Sequence, residues 1–119
     1  MAANKVLVVD DCPTDLANIK GIVTDAGCTV YTASNGAEAI EKAKAEKPDV
    51  IFLDILMPDM DGYTLLMKLR EFHPDVPVLA ISGYVKDDDI REYDFDGFVA
   101  KPMQADEFKN AVATALATR

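Results

Sequence analysis

The chain has 119 residues, 50% of them apolar and 28% charged, which suits one soluble domain with a real buried core. Its 12 basic residues are outnumbered by 21 acidic ones, for a net charge of −9. Such a surface repels phosphate backbones and argues against direct nucleic-acid binding; a divalent cation or a basic partner face is the natural complement. No apolar run approaches the roughly 18 residues a membrane span needs, so no membrane partner is expected. Val6 to Val9 is too short for the core of a signal peptide, so the expected location is cytoplasmic, with Cys12 and Cys28 as reduced thiols. Their spacing fits neither a zinc site nor a redox pair.

Lys5 to Val9 reads as a short strand that runs into Asp10-Asp11. Pro13 suits the first turn of a helix, and Leu16, Ile19, Val23 and Ala26 recur at helical spacing until Gly27 stops it. Thr29 to Ala33 is a second strand. Asn35 can cap a helix reaching about Glu46, with Pro48 blocking its continuation. Val50 to Leu53 is apolar without alternation, as in a parallel-sheet strand covered on both faces. That strand ends at Asp54, and Pro58 and Asp61-Gly62 mark a loop. Tyr63 to Phe72 places Leu65, Leu66 and Leu69 at helical spacing. Val78 to Ile81 is the fourth strand, ending at Ser82-Gly83. Asp87 to about Tyr93 suits a short helix. Gly97 to Ala100 is the fifth strand, ending at Lys101-Pro102. Asp106 to Ala117 closes the chain, with Phe108, Val112 and Leu116 on one face. The alternation of strand and helix implies an α/β fold: a doubly wound parallel sheet with helices on both faces.

In a parallel sheet all strand C-termini share one edge, and ligands bind outside that edge. Asp10 and Asp11, Asp54, Ser82 and Lys101 each follow a strand on its carboxyl side. Taken singly, each has a plain role: a cap, a turn or a surface charge. Taken together, they predict one site. Three neighbouring carboxylates repel one another unless one is protonated or a cation sits among them. All-oxygen donors suit Mg2+, with Mn2+ as a possible substitute, better than zinc. A cation, an ammonium and a hydroxyl around one carboxylate describe a trap for a phosphoryl group, and carboxylates are nucleophiles toward phosphorus.

Other motifs fail. The Asp59-Asp61-Gly62 run would put Met57 and Lys68 at the end positions of a calcium loop. There is no Gly-rich nucleotide-binding pattern. Asp87 to Asp89 reads as a solvated helix start. His73 sits in a turn and reads as non-catalytic. Met57, Met60 and Met67 read as packing residues.

The acidic pair in Val8-Val9-Asp10-Asp11, the segment Leu53 to Gly62, Ser82 and Lys101-Pro102, in this order, resemble the response-regulator receiver domain of two-component signalling. The resemblance covers essentially the whole chain and implies a single receiver domain over residues 1–119. The implied fold is flavodoxin-like, with five strands in the order 2-1-3-4-5. It implies that Asp54 accepts a phosphoryl group from a histidine kinase or histidine phosphotransfer domain. Asp10, Asp11, Asp54 and the backbone carbonyl of Leu56 would hold Mg2+. Lys101 would bind a phosphoryl oxygen, ahead of a cis bond to Pro102. Ser82 and Phe98 would form the switch, and a downstream protein or linked output domain would read it. Leu56 and Tyr84 occupy positions that would tune phosphoryl lifetime. Two departures stand out: the Ser82-to-Lys101 interval is short, and Tyr93-Asp94-Phe95-Asp96 replaces the usual small-residue segment. The helix at Asp87 to Tyr93, the fourth of the family's five, is therefore expected to be short or irregular. Two rivals remain. One is a receiver-like binding module that works without phosphorylation. The other is a phosphatase of haloacid-dehalogenase type, disfavoured because Leu56 stands where its second Asp would be.

Overall fold

The computed structural model describes residues 4–54, 62–82, 95–100 and 104–117. The element order is β1 (Lys5–Val9), α1 (Pro13–Asp25), β2 (Thr29–Ala33), α2 (Gly36–Glu46), β3 (Val50–Asp54), α3 (Gly62–Phe72), β4 (Val78–Ser82), β5 (Gly97–Ala100) and α4 (Ala105–Ala117). The strands form one parallel sheet in the order β2-β1-β3-β4-β5. The helix expected at Asp87 to Tyr93, the Lys101-Pro102 bond, Leu56 and Tyr84 lie outside the described residues.

The central strands are apolar throughout because both faces are covered. Even-numbered residues of β1 and β3 (Val6, Val8, Val50, Phe52) pack against Ile19 and Val23 of α1 and Phe108, Val112 and Ala115 of α4. Odd-numbered ones (Leu7, Val9, Ile51, Leu53) pack against Ala39 and Ala43 of α2 and Leu65, Leu66 and Leu69 of α3. The strand period of two thus divides one sheet between two cores. Phe52 and Phe108 rings meet at 5.3 Å and 37°, in the range favoured for tilted aromatic pairs.

Helix ends follow local chemistry. Pro13 opens α1. Beyond its end, Gly27 takes φ +85, a left-handed conformation that costs glycine little. The Gly27 amide donates to the Thr24 carbonyl at 3.0 Å. At α2, the Asn35 side chain accepts from the Glu38 amide at 2.8 Å, as its position before the apolar run predicts. The C-cap of α2 is unexpected: Lys47 is left-handed, with φ 49. A side chain there costs roughly 1–2 kcal/mol. Offsetting contacts surround it: the Lys47 amide donates to Ala43 O at 3.2 Å, and Asp49 pairs with the backbone of Lys5.

Two expectations about single residues meet the structure differently. His73 is structural: its Nε2 donates to the Ala43 carbonyl at 2.7 Å and ties α3 to α2. Met67 does not pack in the core as expected, being 66% exposed. It lies between the buried Leu66 and Leu69 on the outward side of α3, where a methionine contributes surface rather than packing. Met57 and Met60 lie outside the described residues.

The Asn35 cap gives a direct check. Asn35→Ala leaves the Glu38 amide without its side-chain acceptor and should cost about 1 kcal/mol. Urea unfolding should show an earlier midpoint with an unchanged slope; an unshifted midpoint would remove the cap from the account.

Candidate functional site

The pairing of β1 with β3 explains why two distant carboxylates meet. Val9 lies opposite Leu53 in that ladder, so Asp10 and Asp54 occupy the next row, at the carboxyl edge. Both are even-numbered and continue the line of Val6, Val8, Val50 and Phe52. The row that is apolar inside the sheet thus becomes acidic where the sheet ends. Asp10 is fully buried and Asp54 is 3% exposed, whereas Asp11, the first residue beyond, is exposed. One carboxylate oxygen from each of Asp10, Asp11 and Asp54 lies within 4.8 Å of the other two.

Asp10 also performs the plain role its position suggested. Its Oδ1 accepts from the Cys12 amide at 2.9 Å, and its own amide donates to Ala33 O at 3.0 Å. The first bond holds the chain as it turns into α1, whose N-cap Cys12 makes no side-chain cap of its own. The second extends the β1–β2 ladder by one step. The first bond orients the Asp10 carboxyl through Oδ1, and the second fixes its backbone at the end of the ladder.

The electrostatics of this arrangement are severe. Two unit charges about 5 Å apart repel by roughly 3 kcal/mol at an effective dielectric near 20. The donor set answers to a hard divalent cation: three carboxylates, all oxygen, on an edge with one member open to water. Mg2+ characteristically binds through few carboxylates while retaining several waters. The residues present therefore fit the ion that the oxygen-only chemistry suggests.

Other expected site residues are placed by backbone alone or fall outside the description. Ser82 closes β4, with its Cα opposite Ala100 of β5. Phe98 is half-buried in β5, with its Cα opposite Ala80. Lys101, Leu56 and Tyr84 lie outside the described residues. A groove of about 400 Å3 runs between β5 and α4, lined by residues that include Phe98, Gly97, Glu107 and Thr114. None of the three clustered carboxylates lines it. The cysteines, Cys12 and Cys28, are free and half-buried. Burial, then the nearby charge of Asp49, pushes the Cys28 thiol up, which disfavours the reactive thiolate.

Comparison with known proteins agrees with this architecture. Residues 6–113 match the model of the "Response regulator receiver domain" family. Chemotaxis protein CheY of Bacillus subtilis is 33% identical over 92% of this chain and 95% of its own length. Hybrid signal transduction histidine kinase L of Dictyostelium discoideum is 35% identical over 91% of this chain, which spans only 7% of that protein. Several relatives are thus far longer than the chain described. Among solved structures, chemotaxis protein CheY4 of Vibrio cholerae superposes with a TM-score of 0.91 at 28% identity, covering 97% of this chain and 100% of that one. The family match, the relatives and the shared sheet order together make this chain a member of the response regulator receiver domain family of two-component signalling.

Proposed function

We propose that the chain is a phosphoacceptor switch in which Asp54 takes a phosphoryl group from a histidine kinase or a histidine phosphotransfer domain. One observation carries this reading: the buried Asp54 shares its edge of the sheet with Asp10 and Asp11, oxygen to oxygen within 4.8 Å. A lone buried carboxylate would make a poor phosphoacceptor, because an incoming phosphoryl group brings more negative charge. A cluster that recruits a cation removes that obstacle. Asp10, Asp11, Asp54 and the Leu56 carbonyl would hold Mg2+, which when bound neutralises charge on the carboxylates and the phosphoryl oxygens.

The chain's own residues carry the step. An Asp54 carboxylate oxygen attacks phosphorus in line with the phosphorus–nitrogen bond of a phosphohistidine. The new oxygen–phosphorus bond forms as the nitrogen–phosphorus bond breaks. The nitrogen keeps the electron pair, and because the other ring nitrogen of the phosphohistidine carries a proton, a neutral imidazole is left on the donor. Lys101 offers an ammonium to one phosphoryl oxygen and Ser82 a hydroxyl to another. The movement of Ser82 frees space for Phe98 to turn inward, and a downstream protein or output domain reads the change. Residues 1–119 act as a single receiver unit in this reading, working in the cytoplasm and without direct contact to nucleic acid or membrane. The chain is not primarily an enzyme: phosphotransfer and its reversal by water act on its own side chain. Leu56 has no polar group with which to orient a water toward the phosphoaspartate, and a tyrosine at position 84 would crowd its approach, so the phosphorylated form is expected to be long-lived.

The cluster's repulsion can be read as stability. In metal-free buffer, Asp54→Asn removes one charge and keeps an acceptor, and should stabilise the fold by about 1 to 3 kcal/mol. Millimolar Mg2+ should stabilise the wild type more than the variant, narrowing the gap. Equal unfolding midpoints in chelator, with no Mg2+ effect on either protein, would count against a charged cluster.

Phosphorylation is tested by incubation with a small phosphodonor and Mg2+, followed by intact mass. The wild type should gain one phosphoryl group, absent in Asp54→Ala, and the adduct should persist well beyond seconds once the donor is removed. Loss within seconds would overturn the lifetime assignment alone. No adduct at all would favour a module that binds without phosphorylation, and turnover of a phosphate ester would favour a phosphatase.

A further inference from the structure

The edge strand β5 is four residues long, Gly97–Ala100, and Lys101 follows it directly in the chain. Where β5 sits along β4 therefore decides where the chain leaves the carboxyl edge of the sheet. Burial of Val99 excludes a slip of one residue, which would turn it to the other face, but a slip of two residues keeps every side chain on its proper face. Such a slip would carry the strand end about 7 Å along the sheet.

Asp96 stands immediately before this strand and binds the start of β4 twice. Its amide donates to Val78 O at 2.9 Å, and its Oδ2 accepts from the Val78 amide at 2.8 Å. The same Oδ2 accepts from Arg70 Nη2 at 2.9 Å. Arg70 belongs to α3, and its Nη1 donates to Val76 O at 3.3 Å. One carboxylate oxygen thus joins the beginnings of β4 and β5 to the helix that follows the phosphoacceptor strand. Gly97 adds a steric term: a Cβ there would lie 3.1 Å from Leu79 Cδ2, its partner in the ladder. The close fit at that rung belongs to this register, and another residue at 97 would disturb it.

We infer that Asp96, held by Arg70, is a positioning residue that locks the register of β5 and through it the place of Lys101 relative to Asp54. The inference rests on the phosphoacceptor reading for the role of Lys101, and on the hydrogen bonds alone for the register lock. The metal ligands Asp10, Asp11 and Asp54 lie on and after β1 and β3, two strands and more from β5. Loss of the lock should therefore impair phosphoryl transfer while sparing metal binding, a split that general loosening of the fold does not produce.

The experiment measures Asp54 phosphorylation from a small phosphodonor and, separately, Mg2+ affinity in the same proteins. Asp96→Ala should slow phosphorylation at least ~10-fold, since sub-ångström to ångström misplacement of a catalytic group has effects of that order or larger. Its Mg2+ affinity should match that of the wild type. Asp96→Asn keeps an oxygen facing the Val78 amide and should recover most of the rate. In a Lys101→Ala background, Asp96→Ala should add no further loss. Hydrogen exchange gives an arm independent of phosphodonor: amides of β5 should exchange faster in Asp96→Ala, and in Arg70→Ala to a lesser degree, while those of β1 and β3 stay protected. A wild type that accepts no phosphoryl group would overturn the phosphoacceptor reading, leaving exchange to decide the register lock. A phosphorylated wild type with an equally fast Asp96→Ala, unchanged β5 exchange, or a rate loss matched by lost metal affinity would each overturn the positioning role.

Discussion

The confinement of like charges at the end of a parallel ladder governs this molecule. Asp10 and Asp54 are brought together by the same backbone pairing that places Val9 beside Leu53. Their backbones cannot separate without breaking that pairing, and Asp11 completes the group from the second residue of the connection. Most proteins disperse acidic side chains over a solvated surface, where water screens them. Here two of the three are buried, so the repulsion is screened less than at a solvated surface, and in the proposed function a cation would relieve it.

The remainder of the fold reads as the apparatus that makes such confinement tolerable. Two cores, one on each face of the sheet, bury the central strands almost completely. They supply the stabilisation against which a strained acidic edge can be set. Polar bonds then act at the places where strands begin and end. Asp10 holds the turn into α1, Asp49 joins the starts of β1 and β3, and Asp96 joins those of β4 and β5. Asp49 and Asp96 thus serve as fasteners at the amino ends of strands, whereas at the carboxyl edge the acidic residues cluster, and Asp10 is fastener and cluster member at once.

Much of the architecture was legible in the sequence because it is written in short-range patterns. Uninterrupted apolar runs such as Val50 to Leu53 mark doubly covered strands, Asn35 and Pro13 mark helix starts, and Gly27 marks a helix end. The meeting of Asp10, Asp11 and Asp54 was also legible, since parallel strands share a carboxyl edge whatever the loops between them do. What escaped depends on contacts between distant segments. Lys47 adopts a left-handed cap conformation more usual for glycine or asparagine, and nothing in its neighbours announces this. Met67 points outward although two other methionines lie nearby in sequence. Arg70 and Asp96 are 26 residues apart and carry no local pattern, so their pairing emerges only once α3 and β5 are placed. The double duty of Asp10 was not legible either: capping and site membership had seemed alternatives, and one carboxylate does both.

The most direct test of the central claim is to locate the cation. Crystals equilibrated with Mn2+ should show an anomalous scattering peak bounded by the carboxylate oxygens of Asp10, Asp11 and Asp54. The account predicts one strong peak there, lost in Asp10→Ala. A fully occupied Mn2+ elsewhere on the chain, with none among these three carboxylates, would contradict it.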